Sequence, residues 1–64
     1  MHRRKLERYL RAHGCQLHHH GRKHDVWRNT TTQAMASVPR HQTIKKATVR
    51  GICRELGIPL PDGF

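Results

Sequence analysis

Apolar residues recur at helical spacing near both ends of the chain and at strand spacing between them. Leu6, Tyr9, Leu10 and His13 lie at i, i+3, i+4 and i+7, one face of an amphipathic helix over about residues 3–13. Arg4, Glu7, Arg8 and Arg11 fall on its other side. Gly14 follows as a C-terminal cap, because a residue without a Cβ adopts positive φ at no steric penalty. Val49, Ile52, Cys53 and Leu56 repeat the same spacing, so the basic stretch Ile44 to Leu56 reads as a second helix. Thr43 or Thr48 is its candidate N-cap. Gly57 ends it, and Pro59 and Pro61 prevent its continuation.

The middle of the chain reads as strands. Cys15-Gln16-Leu17 alternates before three consecutive histidines, His18 to His20, and Gly21-Arg22 makes a short turn. Lys23 to Arg28 forms a second strand, with Val26 and Trp27 suited to a pleated surface. Asn29 to Gln33 is a polar connector. Ala34 to Val38 is a third strand, bounded by Pro39, which cannot donate to a sheet ladder. The predicted architecture is α+β, in the order α-β-β-β-α. A three-stranded antiparallel sheet buries the apolar stripes of both helices on one face and leaves its other face polar. The chain forms one domain, residues 1–64, with about 58–64 an extended tail whose Ile58 folds back over the core.

Sixty-four residues can support only one core. A chain of this size buries roughly 60% of its unfolded surface, so its margin of stability is thin. Only Tyr9, Trp27 and Phe64 are aromatic. Trp27 is therefore read as a packing residue before a base-stacking one.

Charge changes the picture most. Thirteen Lys and Arg face four acids, a formal net charge of +9. Such a field favours polyanions, since neutralising phosphates releases condensed counterions. The cations occur in three separate stretches, Arg3 to Arg11, Arg22 to Arg28 and Arg40 to Arg54, which fits a folded cationic surface better than a basic tail. No apolar stretch approaches the roughly 20 residues of a membrane span, and no apolar run of about 7–15 residues follows the basic N-terminus. A cytoplasmic location is the expectation. Cys15 and Cys53 do not make a disulfide framework; Cys53 lies on an apolar helix face and reads as a small buried hydrophobe.

Chemistry concentrates around His24, which opens the second strand among cations in Gly21-Arg22-Lys23-His24-Asp25-Val26-Trp27-Arg28. RNA carries its own nucleophile, the 2′-hydroxyl, beside each phosphate, so cleavage requires only proton movement and stabilisation of charge. A histidine, with an unperturbed pKa of ~6.5, can act as base or acid near neutrality. A positioned one contributes about 10²–10⁴-fold. Lys23, Arg28 and Arg40 are candidates to stabilise developing phosphate charge. Lys45, Lys46 and Arg50 are candidates to track an RNA backbone. His41, between a strand end and the basic helix, is a candidate phosphate contact or complementary acid.

A metal-dependent nuclease needs clustered carboxylates, and only Glu7, Asp25, Glu55 and Asp62 are present. Strand alternation sends Asp25 to the face opposite His24, where it reads as a solvated carboxylate. His18, His19 and His20 lack thiolates at zinc-like spacing. No metal or cofactor is expected.

The ordered set of short motifs, a basic helix ending in Gly14, Lys23-His24 leading into Val26-Trp27-Arg28, then Val38-Pro39-Arg40-His41, Ile44-Lys45-Lys46 and Leu56-Gly57-Ile58, resembles the HicA family of toxins of bacterial type II toxin–antitoxin systems. The resemblance covers nearly the whole chain. It implies a fold like the double-stranded-RNA-binding domain and a metal-independent endoribonuclease acting on mRNA (an mRNA interferase). It also implies inhibition by a HicB-like antitoxin, and a catalytic histidine at His24. The family commonly has Gly-Ser before that histidine; Arg22-Lys23 stands here instead, with Gly21 one place earlier. Two other classes compete. A non-catalytic RNA-binding module of the same fold would read duplex shape through phosphates and 2′-hydroxyls. A small DNA-binding protein would fit the charge but not the meander, because a major-groove helix normally belongs to a pair of adjacent helices.

Overall fold

Two amphipathic helices and a three-stranded meander account for the chain, of which the computed structural model describes residues 1–64. In order they are α1 (Arg3–Ala12), β1 (Cys15–His20), β2 (His24–Asn29), β3 (Met35–Pro39) and α2 (Lys46–Leu56). The sheet order is β1-β2-β3, antiparallel throughout. Leu6 and Leu10 of α1, Cys15, Trp27, Ala36 and Val38 of the sheet, Ile44, and Val49, Ile52, Cys53 and Leu56 of α2 form one buried cluster. Both helical stripes thus pack on one face of the sheet, the α+β arrangement expected.

The details depart from the sequence pattern in several places. Helix α1 ends one residue early. Gly14 at φ 81° turns the chain, so His13 is an exposed C-cap whose ring rests against Tyr9, 4.3 Å between centroids, and does not complete the apolar face. Neither Thr43 nor Thr48 caps α2; Lys45 is the N-cap residue, with extended backbone and no capping side-chain bond. Strand β2 begins at His24 and runs through Asn29, and β3 takes in Pro39 as its last residue. An edge strand is where a sheet tolerates proline. The tail is not simply extended. The Ile58 amide donates to Cys53 O at 3.0 Å, the Tyr9 hydroxyl donates to Pro59 O at 2.5 Å, and a turn brings the Phe64 amide to Pro61 O at 3.1 Å.

Two polar ties complete the frame. Residues Met1 to Arg3 lie against the loop that precedes α2: Met1 N donates to Ile44 O at 2.8 Å, Ile44 N to Met1 O at 2.7 Å, and Arg3 N to Gln42 O at 2.9 Å. This fixes the loop that carries His41. Asn29, only 5% exposed, donates from Nδ2 to Leu56 O at 2.8 Å and accepts the Thr31 amide on Oδ1 at 2.9 Å. It closes the β2–β3 connection and satisfies a carbonyl at the C-terminal end of α2, where helical carbonyls lack internal partners.

Trp27 is 1% exposed and lies in the core, with the Arg11 guanidinium 5.0 Å from its ring centroid. It is therefore not available to stack on a base. Cys15 and Cys53 are both free and buried. Burial pushes both thiols up, and the charge of Cys15 pushes Cys53 further.

Candidate nucleic-acid interface

His24 is the first residue of β2, and strand alternation sets its direction. Asp25, Trp27 and Asn29 are buried on the helix side, whereas His24, Val26 and Arg28 belong to the open face. His24 is exposed and faces Pro39 across the β2–β3 pair. There it joins a groove of ≈ 470 Å³ that also draws on Ser37, His41, Thr43, Lys45 and Thr48. The sheet, the pinned loop and the start of α2 each supply part of this groove. Its lining brings two imidazoles, a cation and three hydroxyls together beside Pro39 and Ile44, a set of donors that a phosphodiester can use.

The start of α2 adds to this character. No acidic side chain occupies its first turn, and Lys45 stands at the N-cap. The free amides and the positive end of the helix dipole therefore meet a cation and not a carboxylate, leaving their preference for an anion uncompensated. A separate, larger concavity of ≈ 700 Å³ lies between α1 and the tail, lined by Tyr9, Leu60 and Phe64 among others. It shares no residue with the His24 groove. The larger concavity also holds His13 and Asp62, whereas the smaller groove brings His24 together with a second imidazole, His41.

The remaining sequence candidates divide. His41 and Lys45 line the groove with His24. Lys23 is exposed in the turn immediately before His24. Arg28 lies on the same open face and donates from Nη1 to Gln33 Oε1 at 2.9 Å. Lys46 is directed elsewhere, its Nζ 5.5 Å from the Phe64 ring centroid, and Arg50, one turn later, shares that flank of α2. Arg40 is exposed but engaged within the protein: it donates from Nη2 to Gly21 O, and its Nε lies 3.6 Å from Asp25 Oδ1.

Asp25 corrects the sequence reading most clearly. It points away from His24 as alternation requires, but it is 6% exposed and not solvated. His20 Nδ1 donates to its Oδ1 at 2.8 Å, and Arg40 approaches the same oxygen. A buried carboxylate needs such partners. His20 reaches it because β1 carries a bulge between Leu17 and His19, so that His19 pairs with Val26 and His20 with Asp25. Bulges re-aim the side chains that follow them. No three His, Cys, Asp or Glu side chains converge in a geometry for holding a metal ion. No helix is long and apolar enough to cross a membrane.

Fold and groove together define a small cationic α+β domain with histidines on the open side of its sheet. The chain belongs to the HicA toxin family of bacterial toxin–antitoxin systems: the family model matches residues 3–58 of 64. Membership implies an antitoxin partner. No curated protein and no solved structure gave a match.

Proposed function

We propose that this toxin is a metal-independent endoribonuclease, an mRNA interferase, whose reaction is run by His24. The observation that carries the reading is the exposed imidazole of His24 in one groove with His41 and Lys45. In this mechanism His24 accepts the proton of a ribose 2′-hydroxyl as that oxygen attacks the adjacent phosphorus. The bond from phosphorus to the 5′-oxygen breaks, and His41 returns a proton to the leaving oxygen. Lys45 and the free amides at the start of α2 offset the charge that develops on the phosphate oxygens. Lys23 and Arg28 extend the contact along the open face, and Lys46 and Arg50 offer the flank of α2 to more distant phosphates. A HicB-like antitoxin would silence the toxin by covering the groove around His24.

The products distinguish this route from others. Attack by the 2′-hydroxyl leaves a 2′,3′-cyclic phosphate and a 5′-hydroxyl, which end-group mapping of cleaved RNA reads directly. Fragments bearing 5′-phosphates would refute the mechanism. Salt-sensitive RNA binding without any cleavage would favour a binding module of the same fold.

A further inference from the structure

The groove residues do not explain how His24 is aimed. Two neighbouring segments, the turn before β2 and the loop after β3, bear on it. The turn Gly21-Arg22-Lys23 closes through the Gly21 amide, which donates to His24 O at 2.7 Å. A Cβ on Gly21 would stand 2.5 Å from that same oxygen, so the turn admits no side chain there. The Gly21 carbonyl, its other polar group, accepts from Arg40 Nη2. Arg40 also approaches Asp25, the neighbour of His24, and Asp25 in turn holds His20 of β1.

We propose that Arg40 and Asp25 are positioning residues, forming a clamp over the Gly21–His24 turn that fixes the direction of the His24 side chain. The inference rests on His24 being the reactive group, as read above. One carboxylate and one guanidinium join three segments: the end of β1, the start of β2 and the loop after β3. Fixing Asp25 on the buried face fixes the peptide that links it to His24, and holding Gly21 fixes the other side of the turn. The two partners of Arg40, an accepting carbonyl and an ion-paired carboxylate, belong to different segments, and a planar fork can meet both. An ammonium is a compact point charge and cannot span them in the same way. The clamp also serves where Arg22-Lys23 stands in place of Gly-Ser, since it holds this turn without a serine hydroxyl.

The test compares Arg40→Lys, Arg40→Ala and Asp25→Asn in the full chain, measuring kcat on a long RNA and, separately, the Kd for that RNA. A clamp predicts that Arg40→Lys and Arg40→Ala both lower kcat by about 10–100-fold, the scale of a misplaced catalytic group. Kd should change little in Arg40→Lys, since the positive charge of the surface is retained. Adding Asp25→Asn to Arg40→Lys should lower kcat no further, as expected of residues acting as one unit. Full activity in Arg40→Lys, or a loss in Arg40→Ala confined to Kd, would make Arg40 an ordinary phosphate contact and overturn the clamp. If the unmodified protein cleaves no RNA, the reading of the site fails, and the clamp is judged by NMR. Arg40→Lys should then shift the His24 ring resonances and speed exchange of the Gly21 amide. Unchanged resonances and exchange would overturn it independently of activity.

Discussion

The side-chain amide of Asn29 donates to the main-chain oxygen of Leu56 at 2.8 Å, joining the end of β2 to the end of α2 across 27 positions of sequence. The same side chain accepts the Thr31 amide, so one buried residue satisfies the β2–β3 connection and a helix terminus together. Asn29→Ala removes both bonds and leaves the Leu56 carbonyl without its partner at a buried position. A loss of about 1–3 kcal/mol is expected for such an orphaned group. In a domain of this size each kcal/mol lowers Tm by roughly 4–8 °C. Calorimetry or thermal melting checks it, and a change below 1 °C would show that the tie is dispensable.

The thiols predict an alkaline limit to stability. Folding raises Cys15 through burial, and Cys53 through burial and then the charge of Cys15, from an ordinary value of 9.0. Tyr9 is raised from 10.0 by burial, then by the charges of Cys53 and Asp62. The folded state therefore holds more protons than the unfolded chain once pH exceeds 9.0. The stability these thiols allow is complete below that pH and is lost as pH rises through their folded values. Tm should fall above pH 9, and the fall should be smaller in the double variant Cys15→Ala, Cys53→Ala. An equal decline in both proteins would assign it to other groups.

Both helices are legible from apolar spacing because each buries a single stripe, Leu6 and Leu10 in α1 and the Val49–Leu56 set in α2. The meander and the exposure of His24 follow from alternation. The surroundings of His24 were not legible. Asp25 reads as solvated because its partners, His20 and Arg40, come from β1 and from the loop beyond β3. Three successive histidines give no hydrophobic contrast, so nothing local marks the bulge that brings His20 to Asp25. Likewise Met1 and Ile44 exchange backbone bonds that no side-chain pattern encodes. The row Lys45, Lys46 and Arg50 looks uniform in sequence, but helix geometry splits it between the groove and the flank facing Phe64.

That split gives a binding prediction. Lys45 lines the groove, so Lys45→Ala should reduce the slope of log K against log salt for a single-stranded RNA by about 0.7, the value of one lost phosphate contact. Titrations at several salt concentrations measure it. A slope equal to that of the unmodified protein would place the RNA path away from the groove.

The most direct measurement is cleavage of a long unstructured RNA in the presence of EDTA by the unmodified protein and by His24→Ala. His24 is exposed and outside the core cluster, so its replacement should leave the fold intact by circular dichroism. Cleavage reduced by about 10²–10⁴-fold in His24→Ala, with RNA binding retained, is the result expected of a general acid–base residue. Equal cleavage by both proteins would contradict the central role of His24.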